Sequence, residues 1–291
     1  MLYSTQTDGA VATYGLYEGV KLLIDAGYPA LDMTLYGKHM NYATSPEWEE
    51  TAKKLLDIAG ERGVVFNQAH APFGGGYKHY TENLVPHMPR VFAFCGLLGI
   101  KTVVVHPLQE GRYYGHEKEL FARNVEFYKG LAPHAKDAEI KIGIENMWQI
   151  HPQAGYIVDD ACAPPEELAE MYDTLNDPEA FTICLDIGHV ALCGREPEDA
   201  IRTIGHDRLG ALHIHDVDYR QDMHTLPGMG RINWNNVLDA LADIRYKGDL
   251  TLEADSFLHR YDPEFKPVAM KFMADCIGHM ANKLTTLMKA E

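Results

Sequence analysis

Phe181-Thr-Ile-Cys-Leu-Asp-Ile-Gly-His189 decides how the rest of the chain reads. A mostly apolar run, short enough for a strand and too short for a helix, closes on an acid, Asp186, with an imidazole three residues later. The pattern recurs on both sides. Ile140–Glu145 closes on Glu145, Leu209–His213 on His213 and Leu250–Glu253 on Glu253, while Thr102–His106 closes on His106 and Val64–Ala69 runs into His70. Leu2–Thr7 and Ala30–Leu35 complete eight such runs.

Helix-length amphipathic segments separate them: Gly15–Ala26, a helix opening at Ser45-Pro46 as N-cap and first-turn proline, Asn83–Leu98, Glu117–Ala135, Pro165–Leu175, Glu198–His206, Trp234–Ile244 and Pro263–Leu287. Gly27, Gly63, Gly99 and Gly248 stand where helices should stop. Short apolar runs alternating with helices predict an α/β fold with a parallel sheet. Eight evenly spaced units overshoot a doubly wound open sheet and predict one (β/α)8 TIM barrel spanning residues 1–291.

In such a barrel the carboxyl ends of the strands converge on one cavity, where active sites sit. Six consecutive strands bring an acid or an imidazole to that mouth. Burying several carboxylates together is costly unless a cation or protons neutralise them. Two Glu, one Asp and one His suit a hard or borderline divalent ion such as Mn²⁺, Mg²⁺, Co²⁺ or Zn²⁺. The same loops carry further candidates. Asp222 and His224 lie in the Gly/Pro-rich stretch after strand seven, placed to fold over the mouth. His215 alternates with His213 and is expected to face away, and Asp216 to orient a ligand histidine from behind. Trp148, close behind Glu145, can wall a sugar pocket. Pro72–Tyr77 (PFGGGY) reads as a lid, with neither a P-loop nor a dinucleotide fingerprint, and Arg112 and His116 sit in the loop after strand four. His70, His106 and His224, with Asp222, are expected to line the same cavity as the principal metal, as a second ion site if the imidazoles converge on one point and as substrate contacts if they stand apart.

Bulk properties narrow the classes. The chain has 291 residues, 46% hydrophobic, with 26 Lys and Arg against 42 Asp and Glu and a formal charge of −16. That charge repels polyanions, so no nucleic-acid partner is expected. The N-terminal MLYSTQTDGAVATYG lacks the basic and apolar regions of a signal peptide, and no run reaches a membrane span, so no membrane partner is expected. Five scattered cysteines without a CxxC fit a reducing cytoplasm, with Cys184 a plain core residue.

IGIEN (142–146), LDIGH (185–189), LHIHD (212–216), PGMGRINW (227–234) and LTLEAD (250–255), in this order, resemble the xylose isomerase-like barrel superfamily. It includes ketose 3-epimerases, hydroxypyruvate-isomerase-like and inositol-catabolism proteins, and the endonuclease IV type of AP endonuclease. The resemblance covers nearly the whole chain. It implies one Mn²⁺ or Co²⁺ held by Glu145, Asp186, His213 and Glu253, with the two glutamates exchanging a proton with substrate from opposite faces and His189 beside them. Departures fall at His151, where the epimerases carry a substrate-binding Glu, and at Tyr219, where they carry an Arg and this chain has Arg220 one residue on. The endonuclease IV pattern of three zinc ions also finds its positions filled, by His70, His106, Glu145, Asp186, His189, His213, Asp222, His224 and Glu253.

The resulting expectation is a divalent-metal-dependent isomerase or epimerase of a small carbohydrate, a sugar, sugar phosphate or polyol, working by proton transfer through an enediolate with Glu145, Glu253 and His189 catalytic. The competing readings are a multi-metal phosphoester hydrolase of the endonuclease IV type, a metal-dependent dehydratase or lyase, and a non-catalytic binding barrel. The last makes poor sense of so many converging carboxylates. A homo-oligomer is compatible with the resemblance, although no residue fixes one.

Overall fold

The computed structural model describes residues 1–290. Eight parallel strands run β1 (Tyr3–Thr5), β2 (Ala30–Thr34), β3 (Val65–His70), β4 (Thr102–Val105), β5 (Lys141–Glu145), β6 (Phe181–Asp186), β7 (Leu209–His213) and β8 (Leu250–Leu252). Strands β2 to β7 pair side by side in chain order, and β1 pairs with β8. Two single bridges join the pieces into a ring, Gln6 to Asp32 on one side and Ile214 to Leu252 on the other. The fold is thus a (β/α)8 TIM barrel, as the spacing predicts.

Every residue of β2 and of β6 is buried. That follows from a strand covered by helices outside and by barrel filling inside. Val104, Cys184 and Ala211 form a small cluster apart from the main core, so Cys184 is a core residue. The covering helices include Leu16–Ala26, Trp48–Gly60, Met88–Leu97, Glu117–Asp137, Pro165–Leu175, Pro197–Ile204, Trp234–Asp243 and Lys266–Ala290. Among the described residues no helix is long and apolar enough to cross a membrane.

Local expectations fail where proline or tertiary packing intervenes. Ser45-Pro46 does not cap the second covering helix. Ser45 is extended, it closes the short helix Asn41–Thr44, and its carbonyl accepts from the Trp48 amide in a turn, so the helix opens two residues late. The segment expected as a helix from Asn83 is irregular until Met88, because Pro86 and Pro89 lack the amide protons that regular turns need. Gly27, Gly63 and Gly99 have positive φ, as helix stops do. At the fourth stop the left-handed residue is Arg245. Gly248 is needed for space instead: a Cβ there would stand 2.2 Å from the Tyr246 hydroxyl. An antiparallel hairpin, Trp148–Ile150 with Ile157–Asp159, extends the β5 loop. Its arm is fastened by a two-pronged ion pair from Arg195 to Asp159.

Candidate metal centre

β5 to β8 deliver the expected four residues to one place. One ligand atom each from Glu145, Asp186, His213 and Glu253 lies within 4.8 Å of the others. All four are buried, Asp186 and His213 completely. Backbone geometry fixes them. Asn146 receives the Asp186 amide on its Oδ1 (2.8 Å) and donates from Nδ2 to the Asp186 carbonyl (3.0 Å), locking two strand ends together. Asp186 then caps the helix Ile187–Leu192, its Oδ1 accepting from the His189 amide at 2.6 Å.

The donor set fits a divalent cation, and two orphaned oxygens show it. Oε2 of Glu145 and Oε2 of Glu253 make no hydrogen bond, although His106 Nε2 stands 3.1 Å from the first and His213 Nδ1 2.8 Å from the second. Buried carboxylate oxygens without partners are rare and costly. Close approach without hydrogen-bond alignment is what groups arranged around a common point would show. Within the protein itself the imidazoles supply the compensating charge. Burial would raise Glu145 and Glu253, but His213, aided by His106 and His224 respectively, holds both well below the usual carboxylate range. Burial would lower His213, yet it lies well above its ordinary value because Cys184, Glu253 and Glu145 outweigh that effect.

Among the described residues three further groups share or adjoin this centre, the first being His70 with His213 and Glu253. His70 and His106 converge with Glu145, their Nε2 atoms 3.1 Å apart. His189, His215, Asp222 and His224 converge on the other side. His106, Asp222 and His224 line one cavity with Glu145 and Glu253, but the three imidazoles do not converge on one point: His70 and His106 lie with Glu145, while Asp222 and His224 lie with His189. The division follows from topology, because β3 and β4 lie across the barrel from the loop after β7. Asp222 Oδ2 and His224 Nε2 are 3.0 Å apart. Against burial, which would raise it, the His224 contact and the nearby His189 bring Asp222 down to about 2. Against burial, which would lower it, Asp222 and Glu253 lift His224 to about 10.

His215 does not face away. It is fully buried, its Nε2 is 3.0 and 3.1 Å from the two Asp186 oxygens, and its ring stacks on His224 at 4.1 Å. Residues two apart along a strand point to the same face, and the ladder continues through Ile214, so His215 follows His213 toward the mouth. Gly188 makes the room, since a Cβ there would lie 2.0 Å from the His215 ring. Asp216 orients no histidine. Its carboxylate accepts from the amides of Val217, Gly228 and Ile232 and from the Trp234 indole, and so ties down the whole loop.

A cavity of about 250 Å³ opens above these groups, lined by His106, Glu145, His189, Asp222, His224 and Glu253. Phe73 of the glycine-rich loop and Trp148 of the hairpin form its walls. Phe73 stacks on His106 at 4.3 Å. His189 has its Nδ1 2.9 Å from the Asn146 carbonyl, leaving Nε2 toward Asp222 at 3.9 Å. Burial works to lower it, but Asp186, Asp222 and Glu145 raise it. Arg112 and His116 line a different surface depression with Glu110 and Arg123. His151 stacks on Tyr156 in the hairpin turn and accepts from the Gln153 and Ala154 amides, while Tyr219 donates to Glu196. Sequence reasoning also passed over Gln6 and Asp32. Gln6 Nε2 donates to Glu253 Oε1 at 2.7 Å. Asp32, pushed up to about 6 by burial, accepts from Gln68 and lies 4.0 Å from His213.

Fold and site together define a barrel enzyme class built on a mouth-end carboxylate–histidine cluster. The xylose isomerase-like TIM barrel model matches residues 20–273, and the chain belongs to that family. Among curated relatives, the uncharacterized protein MJ1311 of Methanocaldococcus jannaschii is 30% identical over 54% of this chain and 51% of its own length. The D-psicose 3-epimerase of Enterocloster bolteae is 30% identical over 78% of this chain and 72% of its own. A probable endonuclease 4 of Mesoplasma florum is 27% identical over 52% of each. The chain thus spans about half the length of two of these relatives. Among solved structures, a D-tagatose 3-epimerase-like protein superposes with a TM-score of 0.73 at 20% identity, over 97% of this chain and 100% of that one. At that identity it bears on the fold alone. Family membership and a mouth-end cluster able to hold a divalent ion are what fold and site establish together.

Proposed function

We propose that this protein, as one domain over residues 1–291, epimerises or isomerises a small carbohydrate with a divalent metal held by Glu145, Asp186, His213 and Glu253. The observation that carries the reading is the convergence of those four ligand atoms within 4.8 Å, with an unpartnered oxygen on each glutamate. When bound, the metal would polarise adjacent carbonyl and hydroxyl oxygens of a sugar and acidify the carbon between them. The rest falls to the chain. Glu145 and Glu253 both border the cavity and are held toward the ionised form, so either can take the carbon-bound proton, leaving an enediolate; the proton comes back from that same group, or from its opposite once that one has taken a proton from solvent. Return to the other face of the same carbon gives an epimer, and return to its neighbour, with the hydroxyl proton passed to the other oxygen, gives an isomer. His189, raised toward its protonated form, can donate to a substrate oxygen, and Trp148 offers an aromatic face to a sugar ring.

Two measurements test this: metal content of the purified protein, and solvent-deuterium exchange into ketohexoses and their phosphates. One metal per chain is expected, with exchange that Glu145→Gln and Glu253→Gln each abolish while retaining weaker metal binding. Exchange at wild-type rate in both variants overturns the assignment. A second reading, a multi-metal phosphoester hydrolase, is favoured by the two adjoining groups around His70–His106 and His189–Asp222–His224. Three metals per chain with phosphodiesterase activity would establish it. The charge of −16 argues against an abasic-DNA substrate.

A further inference from the structure

Glu253 is not held like its counterpart. Glu145 meets only histidines: its Oε1 is 3.0 Å from His213 Nδ1, and its Oε2 faces His106 and, at 3.6 Å, His70. Glu253 has a neutral partner on one oxygen. Gln6, just past β1 and buried, donates from Nε2 to Glu253 Oε1 at 2.7 Å. The Tyr36 hydroxyl, beyond β2, donates to Gln6 Oε1 at 3.2 Å. This two-bond chain has one workable direction. A primary amide has a donor end and an acceptor end, and turning it around would set its oxygen against an ionised carboxylate. Tyr36 is itself wedged in place, its ring 4.6 Å from Phe73 and edge-on to His70 at 5.3 Å.

The consequence concerns the second oxygen. With Oε1 engaged, Glu253 presents Oε2, which sits beside His213 and makes no hydrogen bond. We propose that Gln6, held by Tyr36, is a positioning residue that makes Glu253 a one-oxygen donor to the metal centre, keeping Oε1 occupied and Oε2 alone free. The inference rests on the metal-centre reading above. It assigns to β1 and β2, which contribute no ligand of their own, the task of fixing how the last ligand binds and which oxygen can reach substrate.

The test uses cobalt(II) with the full-length protein, reading its dissociation constant by chelator competition and its visible absorption spectrum. The spectrum reports the number and kind of ligands, which a merely structural defect would not alter in the same way. Gln6→Ala should weaken cobalt binding by roughly 10–100-fold, the usual effect of removing a group that orients a ligand, and should change the visible bands as the second oxygen is released. Tyr36→Phe keeps the ring packing and loses only the hydroxyl. It should shift both readouts in the same direction by less, and it carries the test if Gln6→Ala fails to fold. Ser4→Ala removes a hydrogen bond to Thr251 (2.9 Å) in the same strand pair without touching Glu253, and should leave both readouts at the wild-type value. Wild-type affinity and spectrum in Tyr36→Phe and in any folded Gln6→Ala overturn the inference, as does an equal change in Ser4→Ala. If the wild type takes up no cobalt, the metal-centre reading itself fails and the inference goes with it.

Discussion

His213 lies between two ionised glutamates, with Nδ1 3.0 Å from Glu145 Oε1 and 2.8 Å from Glu253 Oε2. Its raised proton affinity means that the metal-free protein carries an imidazolium where a metal ligand is required. Metal uptake must therefore expel a proton. About one proton per metal should be released near pH 7, measured by calorimetry in buffers of different ionisation enthalpy. Uptake independent of the buffer would contradict the ligand assignment. The same groups set a pH window for metal-free stability. His213 is raised above its ordinary 6.5, so its contribution is complete below that value and is lost as pH climbs through the raised one. Glu145 and Glu253 are held below their ordinary 4.5, so theirs is complete above that value and is lost as pH falls. Metal-free thermal stability should fall on both sides of the interval between 4.5 and 6.5, and His213→Gln should shrink the alkaline limb, leaving the part that His224 contributes.

The long connection after β7 behaves as an ordered element because Asp216 accepts three amides and an indole within it. Gly230 is required by the same knot, since a Cβ there would lie 2.3 Å from Asp216 Oδ1. Asp216→Ala strands those donors, each at about 1–3 kcal/mol if left buried and unsatisfied. We expect a loss of at least about 3 kcal/mol in urea unfolding, together with faster proteolysis between Val217 and Asn233. Stability within about 0.5 kcal/mol of wild type would show that the carboxylate is dispensable. Farther along the loop, the Asp222–His224 contact anchors it over the cavity. His224 is raised to about 10, so its contribution is complete below 6.5 and fades as pH rises toward 10. Asp222 is lowered to about 2, so its contribution fades only as pH falls from 3.8 toward 2. Protease sensitivity of the loop should therefore rise between pH 6.5 and about 10 in the wild type, and should lose most of that rise in Asp222→Asn.

Closure of the ring concentrates charge. Strands distant in sequence each bring an ionisable group to one end, and the carboxylates there are buried beside the imidazoles that offset their charge. A ligand that binds only the folded state adds stability by mass action, about 2.7 kcal/mol at a hundred times its dissociation constant. For a chain of this size that corresponds to a rise in melting temperature of roughly 4–5 °C. Manganese, cobalt or zinc at that excess should produce such a rise in chelator-treated protein. In Asp186→Ala the rise should shrink or vanish. Equal shifts in both proteins would place the binding elsewhere.

Much of this was legible before folding. A short apolar run that closes on Asp, Glu or His is a strand whose last side chain meets the mouth, because barrel topology sends every parallel strand to the same end. That local rule located His70, His106, Glu145, Asp186, His213 and Glu253, and the helix rhythm located the eight units. Asn146 stood in plain view beside Glu145, but its clamp on Asp186 spans two strands and leaves no local mark. The helix start at Ser45 failed because a turn with Trp48 competes with the cap. His215, Gln6, Asp32 and the separation of His70 and His106 from His224 depended on the tertiary structure. In each case the deciding neighbour comes from another strand or loop: Asp186 for His215, Glu253 for Gln6, Gln68 for Asp32. Sequence alone determined which residues reach the mouth, since that depends on each strand's own ending. Which of them meet there was decided by strand order, stagger and the path of the β7 loop, which set distances between residues far apart in the chain.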